Sequence, residues 1–209
     1  MDSTGENITE CGSIRDGSQP DQHYKIFKPY GYLSQFVPER RKSKKLLGDL
    51  AKFPVGTMAI GRLDHDSEGL LLLTTDGMVS HRVRSKKVEK EYYVQLDGDI
   101  DDAALLKLQT GVEIGIKGEK YLTQPCKAYK LEQAPKLPSN GRKARDPKHG
   151  PMSWISITIG EGKNRQIRKM TAAAGFPTLR LVRVRIGNIH LGRMLSGEVI
   201  QLEDPSDIL

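Results

Sequence analysis

The segment that most constrains the fold is residues 61–77, GRLDHDSEGLLLLTTDG. A polar loop punctuated by glycine leads into four consecutive leucines at residues 70–73, and the run stops at Thr75-Asp76-Gly77. A short apolar run bounded by turn residues is typical of a strand that is buried on both faces. The chain must therefore pack a layer on each side of this strand, and either Thr75 or Asp76 is placed to cap a helix that runs to about Arg84.

The rest of the chain mixes strand and helix patterns. Residues 91–96 and 155–159 alternate between apolar and polar side chains, which predicts two half-buried strands. Helices are predicted over residues 103–109 and 164–174, each followed by a glycine that can end it. Because strands and helices interleave without a regular βαβ rhythm, we expect an α+β fold with a mixed, largely antiparallel sheet flanked by helices.

The chain is the length of one domain, with compositional breaks near its start and in its second half. Residues 1–22 are rich in Gly, Ser, Asp and Glu and poor in apolar side chains, which predicts a disordered tail before a single domain at residues 23–209. Residues 132–151 are rich in proline, glycine and cations, and we expect a long mobile loop there.

Several classes of protein are excluded by composition. No run approaches the roughly 20 apolar residues that a membrane-spanning helix needs. The N-terminus is acidic where an export or organelle signal would be basic or apolar, so a cytoplasmic location is expected. Cys11 and Cys126 are too few for a disulfide framework or a zinc cluster, and both are expected to be reduced thiols.

The chain carries a formal net charge of +7, and its cations are grouped. Such blocks suit an anionic polymer, because each neutralised phosphate releases counterions; a solvated basic surface is the alternative for any single block. The blocks are Arg40, Arg41, Lys42, Lys44 and Lys45; Arg82, Arg84, Lys86, Lys87 and Lys90; Arg142, Lys143, Arg145 and Lys148; and Arg180, Arg183 and Arg185.

Asp64 is the first candidate for chemistry, because it lies in a polar loop directly before the apolar strand. A carboxylate held at the rim of a buried sheet is placed to act as a nucleophile or base, and a loop-capping aspartate is the alternative. The acidic and histidine side chains at residues 64–68 also suggest metal ligands. Neighbouring ligands in one loop seldom converge on one ion, so no metal site is predicted.

Arg168 and Tyr92 are the other two candidates. Arg168 lies in the basic stretch 163–169, which follows two glycines, so that free backbone N–H groups and cations such as Lys163 and Arg165 can meet a phosphate. A guanidinium beside Asp64 would keep that carboxylate ionised, whereas a lone helical arginine is usually a surface charge. Tyr92 is either a core aromatic or a ring that stacks on a substrate base.

Four stretches in order, KPYGYLSQF, GRLDHDSEGLLLLTTDG, KEYYV and EGKNRQIRKM, resemble the RsuA/RluB/E/F family of rRNA pseudouridine synthases. The resemblance covers about residues 24–202. It implies the pseudouridine synthase fold, with two lobes around a central RNA-binding cleft. No S4 RNA-binding module precedes residue 24, which favours members of the family that lack one.

The resemblance also implies a role for individual residues. Asp64 would be the catalytic aspartate, and Arg62 would fill the gap left when the target uridine leaves its stack. Tyr92, in a Lys-x-Tyr pattern with Lys90, would pack against the flipped uracil. Arg168 would pair with Asp64, and Ile167 would supply an apolar wall.

The activity that the resemblance implies is isomerisation of a uridine in rRNA, and the expected target is 23S rRNA of the large subunit. The resemblance also implies a monomer that uses no metal or other cofactor. Two alternatives stay open on the residues alone. One is a non-catalytic RNA-binding or ribosome-assembly protein with the same fold. The other is a metal-dependent nuclease built on Asp64, Asp66 and Glu68.

Overall fold

The computed structural model describes residues 20–38, 44–85, 88–142 and 145–203. The basic residues 40–42, 86, 87 and 143 and the first 19 residues of the predicted tail lie outside this part of the chain. The strands are β1 (His23–Lys28), β2 (Met58–Ile60), β3 (Glu68–Thr74), β4 (Lys90–Asp97), β5 (Glu113–Ile116), β6 (Glu119–Leu122), β7 (Lys127–Lys130), β8 (Met152–Ile159), β9 (Thr178–Ile186), β10 (Ile189–His190) and β11 (Val199–Leu202). The α-helices are α1 (Gly77–Ser85), α2 (Asp102–Thr110) and α3 (Gln166–Ala173), and short 3₁₀ helices span Leu47–Asp49 and Pro147–His149.

Nine of the described strands form one mixed sheet in the order β11-β1-β3-β9-β4-β8-β7, with β2 added beside β3 and β10 beside β9. Every described pairing in it is antiparallel except that of β3 with β9, where Glu68 pairs with Val182 and Gly69 with Arg183. Strands β5 and β6 form a separate hairpin. The predicted α+β class with a mixed, largely antiparallel sheet is confirmed, and the short parallel pairing joins the two halves of the sheet.

Strand β3 is buried along its whole length, as its leucines predict. Leu71 and Leu73 pack on one face of the sheet with α2 and α3, and Leu70 and Leu72 pack on the other with Val83 of α1. Alternate side chains of a strand point to opposite faces, so one run of leucines contributes to both layers.

Helix caps lie close to their predicted positions, except at α3. Asp76 Oδ1 accepts a hydrogen bond from the Met78 N–H at 2.7 Å, and Asp101 Oδ1 accepts one from the Ala104 N–H at 2.8 Å. Helix α3 begins at Gln166 rather than at residue 164, because Arg165 has a left-handed backbone with φ 51°. The cationic residues 163–165 therefore form a loop and not the first turn of a helix.

The boundary of the predicted tail also changes, and the predicted loop is attached to the sheet. Gln22 exchanges hydrogen bonds with Thr75, since its N–H donates to the Thr75 hydroxyl and its carbonyl accepts from the Thr75 N–H, so the folded part begins before residue 23. Apart from the 3₁₀ helix, the described residues of the segment 132–151 are irregular, as predicted, and hydrogen bonds of Asn140 and Pro138 attach the segment to β3 and β9. Its mobility stays a prediction.

None of the helices in the described ranges is long and apolar enough to cross a membrane.

Candidate active site

A cavity of about 600 Å³ opens where the two halves of the sheet meet. Its walls come from the loop between β2 and β3, the end of α1, β4, β9 and the loop before α3. This volume is within the usual range of small-molecule sites and is large enough for a nucleoside. Asp64, Arg62, Tyr92 and Lys90 all line it, as do Lys163, Arg165 and Ile167.

The loop that carries Asp64 is clamped by the KPYGYLSQF segment. The Ser34 hydroxyl accepts a hydrogen bond from the Leu63 N–H at 2.9 Å and donates one to the Leu63 carbonyl at 2.8 Å. On the other side of Asp64, the Gly31 N–H donates to the His65 carbonyl at 2.9 Å. The backbone is thus held on both sides of Asp64, which orients its carboxylate toward the cavity.

The side chain of Lys28 binds the backbone of the same KPYGYLSQF segment. Its side chain is fully buried, and Nζ donates to the Pro29 carbonyl at 3.0 Å and to the Tyr32 carbonyl at 2.7 Å. Burial lowers the pKa of Lys28 to about 7, although the nearby carboxylates, Glu68 foremost, favour its charged form. The lysine of this motif therefore shapes the loop over β1 and does not line the cavity.

The predicted pair between Arg168 and Asp64 is not formed. Arg168 Nη2 donates to the Asp66 carbonyl at 2.7 Å, and its Nε lies 3.5 Å from Asp66 Oδ2. The cation within 4 Å of Asp64 is Arg165, whose Nη1 lies 3.8 Å from Asp64 Oδ2. Arg165 also binds both carboxylate oxygens of Asp66 at 2.9 Å, and these hydrogen bonds are the main reason that the pKa of Asp66 is lowered.

The backbone at Arg165 explains why Arg165, and not Arg168, lies within 4 Å of Asp64. Its left-handed conformation at the start of α3 directs the side chain across the cavity mouth to the Asp64 loop. Arg168, one turn into the helix, reaches the backbone of that loop instead, at Asp66. Arg168 thus holds the loop in place, and its side chain is only 13% exposed.

Tyr92 belongs to the core and to the cavity wall at once. It is 8% exposed, packs with the core residues of β4 and β8, and lines the cavity. The register between β4 and β9 shifts between Glu91 and Tyr92, and such irregularities re-aim side chains near functional sites. Its neighbour Lys90 donates from Nζ to the Val88 carbonyl at 2.7 Å, and burial lowers the pKa of Lys90.

Arg183 is a site residue that the sequence marked only as part of a basic block. It pairs with Tyr92 across β4 and β9, and its guanidinium lies 6.0 Å from the centroid of the Tyr92 ring. Its Nε donates to the Leu70 carbonyl at 2.7 Å, whereas its buried Nη2 has no hydrogen-bond partner among the described residues. The residue is 3% exposed and lines the cavity. A buried, incompletely satisfied guanidinium is costly and is typical of a functional site.

The far wall of the cavity is organised by Glu161. Its carboxylate accepts hydrogen bonds from the Tyr121 hydroxyl and from Gln166 Nε2, both at 2.5 Å, and from the Gln124 N–H at 2.9 Å. Lys163 Nζ lies 4.8 Å from the centroid of the Tyr121 ring. The β5–β6 hairpin is thereby tied to the loop that presents the cations before α3.

The electrostatic character of the cavity is cationic. Among its described lining residues the carboxylates are Asp64 and Glu161, and the cations are Arg62, Arg84, Lys90, Lys163, Arg165 and Arg183. An anionic ligand is favoured there, since convergent positive charge in a cleft raises the local concentration of anions.

A metal centre on Asp64, Asp66 and Glu68 is not favoured by this arrangement. Arg165 holds both carboxylate oxygens of Asp66, and Arg180 holds both of Glu68 at 3.0 and 2.8 Å. Glu68 is also buried within β3 and faces away from the cavity lining. Asp66 and Glu68 are thus each neutralised by a different arginine, and the described residues contain no group of three His, Cys, Asp or Glu side chains placed to hold an ion.

Seven residues that the sequence singles out line the cavity: Arg62, Asp64, Lys90, Tyr92, Lys163, Arg165 and Ile167. The sequence does not single out Ser34, Tyr121 or Glu161, or the place of Arg183 in the cavity wall. Ser34 lies in the KPYGYLSQF motif, yet nothing local shows that it contacts Leu63. For Arg183, the indication in the sequence is the group of cations at residues 180–185.

Residues 22–173 match the family model described as RNA pseudouridylate synthase. The ribosomal large subunit pseudouridine synthase E of Xanthomonas campestris pv. campestris is 44% identical over 173 residues, which cover 82% of this chain and 90% of the relative. The protein of the same description from Vibrio parahaemolyticus is 42% identical, over 82% of this chain and 69% of the relative. The ribosomal large subunit pseudouridine synthase B of Bacillus subtilis is 30% identical, over 95% and 75%.

A solved structure supports the same relationship. The crystal structure of a pseudouridylate synthase matches with a TM-score of 0.70 at 28% identity and covers 90% of this chain and 73% of its own. The pseudouridine synthase fold that the family resemblance implied is confirmed by this match.

Proposed function

The chain belongs to the RNA pseudouridylate synthase family, and from that premise we propose that it isomerises a uridine of 23S rRNA with Asp64 as the catalytic carboxylate. It is an RNA pseudouridine synthase, as its relatives are. The observation that carries the role of Asp64 is its place in a cavity of nucleoside size, beside Tyr92 and surrounded by cations.

The reaction needs nothing beyond the RNA. The N1–C1′ bond of the uridine breaks, the uracil turns, and a C5–C1′ bond forms; the proton on C5 is lost and N1 gains one. No electron is gained or lost and no outside group is transferred, so the proposal includes no cofactor. Asp64 acts either as the nucleophile at C1′ or as a base at the sugar.

The remaining cavity residues have supporting roles in this proposal. Tyr92 packs against the uracil after it has left the stack, and Ile167 forms the opposite apolar wall. Arg183 contributes a buried positive charge to the wall of the cavity that Tyr92 also lines, 6.0 Å from the centroid of the Tyr92 ring. Arg165 is the cation that orients the carboxylate of Asp64.

Extruding a base from RNA costs a few kcal/mol, which the protein must offset. We propose that the cations at the cavity mouth supply this, with Lys163 and Arg165 on phosphates and Lys90 deeper in the site. Arg62 is exposed at the rim, where it can enter the space that the uridine vacates. RNA shape is the expected basis of target choice, because paired RNA is read mostly by shape.

The substrate class is drawn from the relatives. Proteins described as large subunit pseudouridine synthase E are 42–44% identical to this chain over most of its length. The names of these relatives assign them to the ribosomal large subunit. We propose that this protein acts on the RNA of that subunit, as a monomer in the cytoplasm.

The test is Asp64→Asn, examined by carbodiimide-based pseudouridine mapping of rRNA in cells that express either the natural protein or the variant. One 23S uridine should be modified with the natural protein and remain uridine with Asp64→Asn, while purified variant protein binds the RNA with unchanged affinity. Asp99→Asn is the matched control, because this exposed carboxylate pairs with Lys130 outside the cavity.

Two results would contradict the proposal. Turnover by Asp64→Asn would remove Asp64 from the mechanism. Cellular function that survives Asp64→Asn but is lost on neutralising Lys163 and Arg165 would favour the non-catalytic RNA-binding protein.

A further inference from the structure

A second cluster of aromatic and cationic side chains lies beside the cavity but outside its lining. The guanidinium carbon of Arg142 lies 5.0 Å from the centroid of the Tyr30 ring. The ring of Tyr30 in turn lies 6.3 Å from that of His65, with the two planes tilted by 53°. We call Tyr30, His65 and Arg142 the flanking patch; none of the three lines the 600 Å³ cavity.

The flanking patch is contiguous with the catalytic loop. His65 follows Asp64 directly, and its carbonyl accepts the hydrogen bond from the Gly31 N–H, next to Tyr30. Whatever enters the cavity beside Asp64 therefore passes close to the patch. A polymer that inserts one unit into the cavity would place a neighbouring unit on it.

The loop at residues 132–151 positions Arg142 beside Tyr30. Asn140 Nδ2 donates to the buried Glu68 at 3.0 Å, and Arg180 Nη2 donates to the Pro138 carbonyl at 2.7 Å. The Arg142 N–H then donates to Asn140 Oδ1 at 3.0 Å, which fixes the turn that leads to it. The loop is anchored through a buried ion pair, yet the residue it presents is exposed.

The charge of Arg142 is not compensated nearby. Within the part of the chain that the structure describes, no carboxylate lies within 4 Å of its guanidinium, and Nη1 donates only to the Leu179 carbonyl at 3.2 Å. The adjacent acids Asp66 and Glu68 are already bound by other arginines. The patch therefore presents a free positive charge stacked on an aromatic ring.

An arginine stacked on an aromatic ring suits single-stranded RNA. Unpaired bases stack on aromatic rings and on guanidinium planes, and the same guanidinium can neutralise a phosphate. We propose that the flanking patch binds the nucleotide next to the target uridine: its base stacks on the Tyr30–Arg142 pair and its phosphate meets Arg142. This inference rests on the proposed function, because it requires that the cavity takes a uridine from RNA.

The experiment compares Arg142→Gln, Tyr30→Ala and Tyr30→Phe in the full chain, with Lys148→Gln as the matched control. Lys148 is an exposed cation of the same loop that pairs with Asp146. The probe is an in vitro 23S rRNA transcript. Its dissociation constant is measured over a range of salt concentrations, together with kcat and KM for pseudouridine formation.

Arg142→Gln should weaken binding about tenfold and reduce the slope of log affinity against log salt by about 1, because one phosphate contact is lost. Tyr30→Ala should weaken binding by a similar factor and leave the salt slope as it is, and Tyr30→Phe should restore the affinity because the ring is kept. For both damaging variants the loss should fall on KM more than on kcat. If Arg142 and Tyr30 only stabilised the fold, Arg142→Gln and Tyr30→Ala would not differ in the slope of log affinity against log salt.

Equal effects of Arg142→Gln and Lys148→Gln would overturn the flanking patch, as would an unchanged salt slope in Arg142→Gln. Failure of the proposed function has a different signature, since the natural protein would then form no pseudouridine in any transcript. If the natural protein modifies the transcript and the variants match it in affinity, only the patch is refuted.

Discussion

Arg165 Nη1 lies 3.8 Å from Asp64 Oδ2, and the same guanidinium holds both oxygens of Asp66 at 2.9 Å. One side chain thus links the loop that carries Asp64 to the loop that precedes α3. Arg168, which the family resemblance pairs with Asp64, binds the backbone of Asp66 instead. The two arginines therefore have separable tasks, one toward the carboxylate and one toward the loop.

Arg165→Gln and Arg168→Gln should consequently have different effects. Arg165→Gln should lower kcat at least about tenfold, because Asp64 loses the cation beside it. Arg165 is 42% exposed, so the melting temperature should stay almost unchanged. Arg168 is buried, and its loss leaves the Asp66 carbonyl without its donor, so both the melting temperature and kcat should fall. Single-turnover kinetics and thermal unfolding of both variants check this. A stable, inactive Arg168→Gln beside an active Arg165→Gln would show that Arg168 pairs with Asp64 once RNA is bound.

Arg183→Met tests whether this buried cation contributes to the reaction or to the stability of the fold. Because Nη2 has no hydrogen-bond partner within the described part of the chain, replacing the guanidinium by an apolar side chain of similar length should leave the melting temperature equal or higher, despite the lost bond to the Leu70 carbonyl. The rate constant for pseudouridine formation should still fall more than about tenfold. A variant that melts lower and turns over normally would make Arg183 a structural residue.

Lys28 should make the stability of the fold depend on pH near neutrality. Its pKa is about 7 in the folded protein, where burial opposes the charge, and near its usual 10.5 in the unfolded chain. Between these values the unfolded chain binds more protons, so the free energy of unfolding rises with pH by up to about 1.4 kcal/mol per pH unit. Below about pH 7 the lysine is charged in both states and the cost of burying it is fully present.

Lys28→Met should therefore flatten the dependence of the unfolding free energy on pH above about pH 7. Urea unfolding at several pH values measures the slope, and Lys25→Met on the same strand is the control. The slope is the informative quantity, because the variant also leaves the Pro29 and Tyr32 carbonyls without a donor. An unchanged slope would mean that Lys28 stays charged in the folded protein.

Gly69→Ala should disrupt the parallel junction of the sheet. Gly69 has φ +99°, and an added Cβ would overlap the Arg183 carbonyl oxygen and lie 2.8 Å from the Arg183 nitrogen. Strands β3 and β9 would have to separate, so we expect a loss of more than about 2 kcal/mol in the free energy of unfolding. Gly115→Ala is the control, since a Cβ there meets nothing within 4 Å. Equal stability of the two variants would contradict the close approach of the strands.

The parts of the fold that could be predicted depend on residues near one another in the chain. The leucines of β3, the Asp76 cap of α1 and the alternation of β4 each produce their structure through neighbours within a few residues. The start of α3 was misplaced by two residues because the left-handed backbone of Arg165 is not visible in its side chain. That single torsion also decided which arginine faces Asp64.

The sequence by itself determined the α+β class, the buried strand, the cationic character and, through its motifs, the family and the candidate Asp64. Only the tertiary structure decided how these residues meet. In the tertiary structure Ser34 binds the backbone of Leu63, 29 residues away, and Arg183 pairs with Tyr92. The 132–151 loop is held so that Arg142 lies over the ring of Tyr30. The physical reason is that local patterns set which face of an element is apolar, whereas hydrogen bonds and ion pairs between distant segments depend on sheet register and strand order.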